Sequence, residues 1–213
     1  MSDQPTLAME QGLWARSYAR VAGIDEAGRG AWAGPVVAAA VILPPGRDDL
    51  PRLLAPVRDS KLLRPRVREV CYDLIAANAL AWAVGSATSG EIDRLGIMPA
   101  TRLAMCRAVG ALPLPPDYLL IDAVRLGELP IPQAARPKAD LLFLSVSAAS
   151  IVAKVSRDRW MADLCGRDGD YGFARHKGYG TRDHLDALRR LGPACHHRMS
   201  FAPLRTLADA EHG

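Results

Sequence analysis

The sequence predicts an α/β fold in which helices pack on the faces of a β-sheet. Two nearly all-apolar runs, residues 21–25 and 36–43, have the composition of central strands that are covered on both faces. Farther along the chain, extended segments alternate with segments of helical periodicity. Strands in succession, followed by strands that alternate with helices, are typical of this architecture.

The next elements follow from turn residues and apolar spacing. Residues 44–51 contain three prolines and a glycine and are predicted to form a loop. Residues 64–79 are predicted to form a helix, because Pro65 suits its first turn. Its apolar face is expected to consist of Val67, Val70, Leu74 and Ile75.

A third strand is predicted over residues 80–88, followed by a helix over roughly 99–111. Residues 117–122 form a predicted short buried strand that ends in an acid. A long helix is expected over residues 147–165, opening at serines that can cap it.

The C-terminal part of the chain is basic. Between Tyr171 and Arg205 there are seven Lys and Arg residues, only two acids and four of the five histidines. Thr181 can cap a short helix that ends at Gly192. We expect a small helical segment that is basic on at least one side.

Composition indicates a folded protein of the cytoplasm. The net charge of +4 is compatible with a polyanionic partner but is weak evidence for one. The four cysteines are scattered without a Cys-x-x-Cys pair, which disfavours a zinc site or a disulfide framework. The N-terminus lacks the layout of a signal peptide, and no apolar run is long enough to cross a bilayer, so no membrane partner is expected.

A glycine-rich turn, "GRGAWAG", joins the first two predicted strands. It resembles the G-x-G-x-x-G dinucleotide pattern with one residue too many. That pattern requires a helix after the turn, whereas a strand is predicted here, and the Walker pattern is absent as well. The simplest interpretation of the glycines is a tight turn that needs positive φ, but this does not explain the acids before it.

Acids stand at the ends of two apolar runs, although aspartate is uncommon in strands and a buried carboxylate is costly unless it is paired or binds a metal. Asp25 and Asp122 each end such a run, and Glu26 adjoins the first. Carboxylates gathered at strand ends repel one another unless cations neutralise them, and oxygen ligands without His or Cys select Mg²⁺ or Mn²⁺. The alternative is that these acids only cap turns or pair with Arg29 and Arg125, and spacing alone does not decide between the two.

Several ordered motifs resemble the ribonuclease HII family, the type 2 ribonucleases H. They run from about residue 21 to residue 205 and include "GIDEAGRG", "DSKLL" (59–63), "LIDAVRL", "SAASIVAKVSRD", "YGFARHKGYGTRDH" and "HHRMSFAPLR". The resemblance implies an RNase H-like fold, with a mixed central β-sheet flanked by helices and a small C-terminal helical segment. It divides the chain into an N-terminal extension (1–19), a catalytic core (20–165) and a basic substrate-binding segment (166–213).

The resemblance also implies an activity. Members of the family cleave the RNA strand of RNA–DNA hybrids and incise 5′ of single ribonucleotides in duplex DNA. They use four acids and Mg²⁺ or Mn²⁺ in a two-metal hydrolysis that leaves 5′-phosphate and 3′-hydroxyl ends. We expect the same of this chain, acting as a monomer on hybrid duplexes and ribonucleotide-containing DNA. The alternatives are a related nuclease acting on DNA junctions and a non-catalytic protein that binds hybrids.

Three of the four acids correspond directly to Asp25, Glu26 and Asp122. The fourth follows a Lys-Gly-Asp pattern in the family, which places it at Asp140 in "KAD". Asp158 is the rival, but it lies four residues after Lys154 on a predicted helix and suits an ion pair. Two positions depart from the family pattern, since Ala139 and Ala123 stand where glycine is usual or frequent.

The substrate-binding residues that the resemblance implies lie in three motifs. Gly28, Arg29 and Gly30 form the turn that grips the backbone and inspects the 2′-hydroxyl, the group that distinguishes RNA from DNA. The family's tyrosine, which packs on a nucleotide sugar, corresponds to Tyr179, with Tyr171 as the rival.

Ser60 and Lys61 of "DSK" are candidates for phosphate contacts, or else belong to a solvated loop. The two-metal scheme requires no histidine as a base, so we assign His176, His184, His196 and His197, with Arg198, to structure or to phosphate contacts.

Overall fold

The structure is a computed structural model that describes residues 4–58, 60–165 and 169–206. Asp59 of the predicted "DSK" motif lies outside the described residues. So do the outermost residues of the expected N-terminal extension (1–3) and parts of the expected C-terminal segment (166–168 and 207–213).

A mixed five-stranded sheet forms the centre of the fold, as the resemblance implied. Its strands are β1 (Val21–Ala27), β2 (Val36–Ile42), β3 (Ala81–Ala87), β4 (Tyr118–Asp122) and β5 (Gln133–Arg136), in the spatial order β3-β2-β1-β4-β5. β1, β2 and β3 pair antiparallel, whereas β1, β4 and β5 pair parallel. β1 and β4 therefore end at the same edge of the sheet, which brings Asp25 and Asp122 to neighbouring strand ends.

Helices cover both faces of the sheet. They are α1 (Ala8–Trp14), α2 (Leu50–Leu53), α3 (Pro65–Asn78), α4 (Ser89–Leu95), α5 (Ile97–Gly110), α6 (Leu144–Cys165), α7 (Phe173–His176) and α8 (Arg182–Leu191), with short 3-10 turns at Ala139–Leu141 and Gly169–Tyr171. α5 packs on one face, and α3 and α6 pack on the other.

Glycines set how closely two helices approach the sheet. A Cβ on Gly85 of β3 would lie 2.3 Å from the carbonyl oxygen of Ala104 in α5. A Cβ on Gly23 of β1 would lie 2.1 Å from the backbone of Ser145, near the start of α6. Any larger residue would push the helices off the sheet.

The expected strands and helices are present, with some differences in extent. β1 continues past Asp25 to Ala27, and α6 begins at Leu144 rather than Ser147, so the serines expected to cap it lie within the helix. The carboxylate of Glu10 takes the capping role instead and accepts from the backbone N–H of Ser145 at 2.9 Å.

Several elements were not predicted: α1, the short α2 inside the expected loop, α4 and the edge strand β5. The expected apolar face of α3 was also wrong in part. Val67 and Val70 are exposed, and the buried residues of the helix are Cys71 and Ile75. Among the described residues, no helix is both long enough and apolar enough to cross a membrane.

Candidate active site

Asp25 and Glu26 lie at the end of β1, where its pairing with β4 has stopped but its pairing with β2 continues. Parallel pairing ends at Ile24, whereas Asp25 and Glu26 still face Ala39 and Ala38 of β2. Side chains alternate along a strand, so the two carboxylates leave on opposite faces. Both nevertheless border one open groove of about 590 Å³ at the edge of the sheet.

Asp25 is 6% exposed, and burial is the main reason why the pKa of its carboxyl is raised well above the usual value. The negative charges of Glu26 and Asp122 raise the pKa further, while a hydrogen bond from the Ser150 hydroxyl opposes them. Ser60 Oγ lies 3.0 Å from Ser150 Oγ. A hydroxyl has one proton, so Ser60 donates to Ser150, which donates to Asp25.

Glu26 is held between two cations. Its Oε1 accepts from Arg29 Nη1 at 3.1 Å, and the positive charge of Lys61 also acts on it. Burial still raises the pKa of Glu26 above its usual value. Its Oε2 is buried and has no hydrogen-bond partner among the described residues. An ionisable oxygen in that position suits a cation ligand.

The third and fourth predicted acids are joined through one backbone group. Asp122 Oδ1 accepts from the N–H of Ala139 at 2.8 Å, and Asp140, which follows, is 6% exposed. Neither Asp122 nor Asp140 lines the groove that Asp25 and Glu26 share. Electrostatic coupling places Asp122 near the pair, since its charge acts on both Asp25 and Glu26.

Asp158, the rival for the fourth acid, lies in a salt-bridge network. Its carboxylate is 2.6 Å from Lys154 Nζ and 3.7 Å from Arg68 Nη2. This is the ion pair that its position four residues after Lys154 predicted. The contact explains Asp158 without a metal.

The turn after β1 has one glycine that the fold requires and one that it does not. Gly28 has a φ of +93°, and a Cβ there would lie 2.0 Å from Nε of Arg157. Gly30 has a negative or extended φ, and a Cβ there would meet nothing within 4 Å. The protein itself therefore leaves open space beside Gly30, on the wall of the groove.

Tyr179 and Tyr171 have different surroundings. Tyr179 is half-buried on the groove, with Lys154 Nζ 5.4 Å and the guanidinium carbon of Arg157 5.3 Å from its ring centre. Tyr171 stacks on Phe173 and donates its hydroxyl to the carbonyl of Gly192 at 2.7 Å. Of the two tyrosines, Tyr179 is the one that borders the groove with Asp25 and Glu26.

Three of the four histidines between Tyr171 and Arg205 form a buried cluster. His176 stacks on His184 at 4.5 Å, and Nε2 of His184 lies 3.0 Å from Nε2 of His197. Burial lowers the pKa of His184 to about 4, so it is neutral at physiological pH. These histidines serve structure, one of the two roles left open for them.

The donor set fits a hard divalent cation, because it consists of carboxylates and includes the unpartnered Oε2 of Glu26. Within the described residues, no three His, Cys, Asp or Glu side chains are arranged so that they could hold a metal ion. The carboxylates would have to turn toward a common point to do so.

Comparison with known proteins assigns the family. The family model described as Ribonuclease HII matches residues 22–204. The chain belongs to the ribonuclease HII family. Family membership makes it a metal-dependent endonuclease with ribonuclease H activity on RNA–DNA hybrids.

Individual members of the ribonuclease HII family are similar over nearly the whole chain. Ribonuclease HII of Roseiflexus castenholzii is 56% identical over 206 residues, which cover 97% of this chain and 92% of the relative. Ribonuclease HII of Chloroflexus aurantiacus is 52% identical over 200 residues, which cover 94% of each. The crystal structure of the ribonuclease H2 from Pyrococcus horikoshii OT3 superimposes with a TM-score of 0.75 at 26% identity, covering 91% of this chain and 99% of that one.

Two residues that border the candidate site were missed in the sequence. Ser150 and Lys154 both border the groove, and Ser150 bonds to Asp25. Their spacing was the available signal, since a serine and a lysine four residues apart lie on one face of a helix. The serines of this segment had instead been interpreted as helix caps.

Proposed function

We propose that this chain incises duplex DNA 5′ of single ribonucleotides, as well as cutting the RNA strand of hybrids, and leaves 5′-phosphate and 3′-hydroxyl ends. One observation carries the proposal: the buried Asp25 and the partly buried Glu26 border the same groove as the turn at residues 28–30. Groups suited to phosphate hydrolysis and groups suited to sugar recognition are thus adjacent.

The acids Asp25, Glu26, Asp122 and Asp140 would hold Mg²⁺ or Mn²⁺, as their oxygen donors favour hard cations. Bound there, two such ions would supply an acidified water as the nucleophile and positive charge for the leaving 3′-oxygen. Hydrogen bonds from other groups of the chain orient the acidic side chains. Ser150 donates to Asp25, and the N–H of Ala139 donates to Asp122.

Recognition of the ribonucleotide would rest on Gly28, Arg29 and Gly30. The open space beside Gly30 supports this, because a nucleotide sugar can approach the main chain there without meeting a side chain. Tyr179 borders the groove as well and is placed to pack on a neighbouring sugar.

Phosphate contacts would come from the rim of the groove and from the C-terminal segment. Lys61 and Ser60 both border the groove, and the Ser60 hydroxyl also hydrogen-bonds to that of Ser150 at 3.0 Å. Arg175, Arg182 and Arg189 of the C-terminal segment are largely exposed. We propose that this segment, residues 166–213, binds the duplex backbone, so that affinity falls as salt rises, and that the enzyme acts as a monomer.

The test is cleavage of one DNA duplex in three forms: all DNA, with a single ribonucleotide, and with one strand entirely RNA. We expect cutting of the second and third forms with Mg²⁺ or Mn²⁺, and none after EDTA is added. Equal cutting of the all-DNA duplex would overturn the proposal. Binding without turnover in Mn²⁺ would indicate a non-catalytic protein.

A further inference from the structure

Two fully buried arginines lie behind the loop that joins β1 and β2. Arg157 of α6 and Arg198 of the C-terminal segment are each 0% exposed. Neither forms an ion pair with a carboxylate of the described residues. A buried charge is costly unless its donors are satisfied, so their partners indicate what these side chains stabilise.

Arg198 donates only to main-chain carbonyls of this loop. Its Nη2 bonds to the carbonyl of Gly28 at 2.8 Å, its Nη1 to that of Arg29 at 2.8 Å, and its Nε to that of Gly34 at 3.0 Å. The backbone of Arg198 is attached to the same loop, since its N–H donates to the carbonyl of Trp32 at 2.8 Å. The planar guanidinium therefore fixes two consecutive peptide groups with one fork of donors.

Fixing these two carbonyls also fixes two N–H groups. In a trans peptide the C=O and the following N–H point in opposite directions. The carbonyls of Gly28 and Arg29 point inward at Arg198, so the N–H groups of Arg29 and Gly30 point away from it. Arg29 and Gly30 border the groove, which is the side from which a duplex can approach.

We propose that Arg198 is a positioning residue for sugar recognition, which holds the N–H groups of Arg29 and Gly30 toward the 2′-hydroxyl of the ribonucleotide. The inference rests on the proposed function and assigns part of its selectivity to a residue that touches no substrate. Lysine cannot replace arginine in this role, because a single ammonium cannot hold two adjacent carbonyls in a planar fork.

Arg157 provides a matched comparison. It is equally buried, but it donates to the carbonyls of Ala33, Pro35 and Lys177, at 3.1, 2.9 and 2.9 Å. Ala33 and Pro35 lie at the far end of the loop, and Lys177 follows α7. Arg157 packs beside Gly28 but does not bond to its carbonyl, so Arg157→Lys leaves the hydrogen bonds from Arg198 to the carbonyls of Gly28 and Arg29 in place. Arg198→Lys frees both.

The experiment measures binding in an Asp25→Asn background, so that no substrate is consumed. The dissociation constants of an all-DNA duplex and of the same duplex with one ribonucleotide give a selectivity ratio for each variant. We expect Arg198→Lys to lower that ratio about tenfold, the contribution of one or two hydrogen bonds, with all-DNA affinity within about twofold. Arg157→Lys is expected to leave the ratio within about twofold.

Two results separate this inference from the function on which it rests. A parent protein that binds both duplexes equally would overturn the proposed function and the inference with it. If the parent protein prefers the ribonucleotide duplex and Arg198→Lys keeps that selectivity ratio, the inference alone is overturned. The same holds if Arg157→Lys lowers the ratio as much as Arg198→Lys does.

A second measurement uses the wild-type chain if Arg198→Lys does not fold. With Ca²⁺ in place of Mg²⁺, amide NMR signals of Arg29 and Gly30 should shift more with the ribonucleotide duplex than with the all-DNA duplex. Equal shifts with both duplexes would contradict the orientation that we infer.

Discussion

Asp122 accepts a hydrogen bond from the N–H of Ala139, so the predicted third acid orients the residue that immediately precedes Asp140, the predicted fourth acid. Ala139 is fully buried and begins a 3-10 turn, which leaves Asp140 little freedom to move independently of β4. The substitution of alanine for the family's glycine at this position is accommodated, since Ala139 has no positive φ.

This relationship predicts that Asp140, and not Asp158, is required for catalysis. Asp140→Asn should lower the cleavage rate by at least about a hundredfold, as expected for loss of a group that stabilises charge in the transition state. Asp158→Asn, the matched control, should cost about 1 kcal/mol of stability through its pair with Lys154 but keep the rate within about tenfold. Single-turnover rates and urea unfolding measure the effects of both variants. A larger loss of rate in Asp158→Asn than in Asp140→Asn would contradict the choice of Asp140 as the fourth acid.

Ala123 is the other departure from the family pattern, and its backbone carries strain. Its φ of +57° is in the left-handed region, which costs a residue with a Cβ about 1–2 kcal/mol relative to glycine. Glycine relieves this strain but loses more entropy on folding, which offsets part of the gain. Ala123→Gly should therefore stabilise the fold by up to about 1 kcal/mol. Thermal unfolding measures the change in stability. A less stable Ala123→Gly variant would contradict the claim that the backbone is strained at this position.

Asp25→Asn separates activity from stability. Cleavage should fall by on the order of a thousandfold or more, since Asp25 is central to the acid cluster. In EDTA the melting temperature should equal or exceed that of the wild type, because the change removes a buried charge that the charges of Glu26 and Asp122 disfavour. An unfolded variant would mean that Asp25 is mainly structural.

The two tyrosines should respond differently. Tyr179→Ala should lower cleavage at single ribonucleotides by about tenfold or more, because base and sugar stacking on an aromatic ring contributes roughly 1–3 kcal/mol. Tyr171→Phe keeps the ring and removes the hydrogen bond to Gly192, so it should cost about 1 kcal/mol of stability and leave the rate unchanged. Normal activity in Tyr179→Ala would move the assignment to Tyr171.

Glu10, which lies outside the candidate site, should make the stability of the fold depend on pH. Burial raises the pKa of its carboxyl above 4.5, so the folded state binds this proton more tightly than the unfolded state does. The resulting stability is fully present below pH 4.5 and is lost as pH rises through the folded pKa. The stability of Glu10→Gln relative to wild type should therefore increase between pH 4.5 and 8, which urea unfolding can follow. A difference in stability between variant and wild type that stays constant across this pH range would contradict the prediction.

The sequence predicted the acids and the sheet because both depend on local features. Asp25 and Glu26 stood out as charges at the end of an apolar run, and the central strands were apolar throughout. β5 was missed because it is a short edge strand, "QAAR", with little apolar alternation. α4 was missed although Thr88 and Glu91 form a capping box, a pattern that is visible in the sequence.

The features that could not be predicted from the sequence depend on tertiary contacts. Nothing local shows that Arg198 is buried against a loop 170 positions away, or that Ser150 faces Asp25 rather than capping a helix. Basic residues near the C-terminus had suggested phosphate contacts as one role for Arg198. Its burial and its carbonyl partners assign it to structure.

The most direct test of the central claim is to map the cut in a DNA duplex that carries one ribonucleotide. The account predicts a single incision on the 5′ side of the ribonucleotide. It should yield an upstream 3′-hydroxyl that a polymerase can extend and a downstream ribonucleotide with a 5′-phosphate. Incision on the 3′ side, or equal incision of the all-DNA duplex, would contradict it.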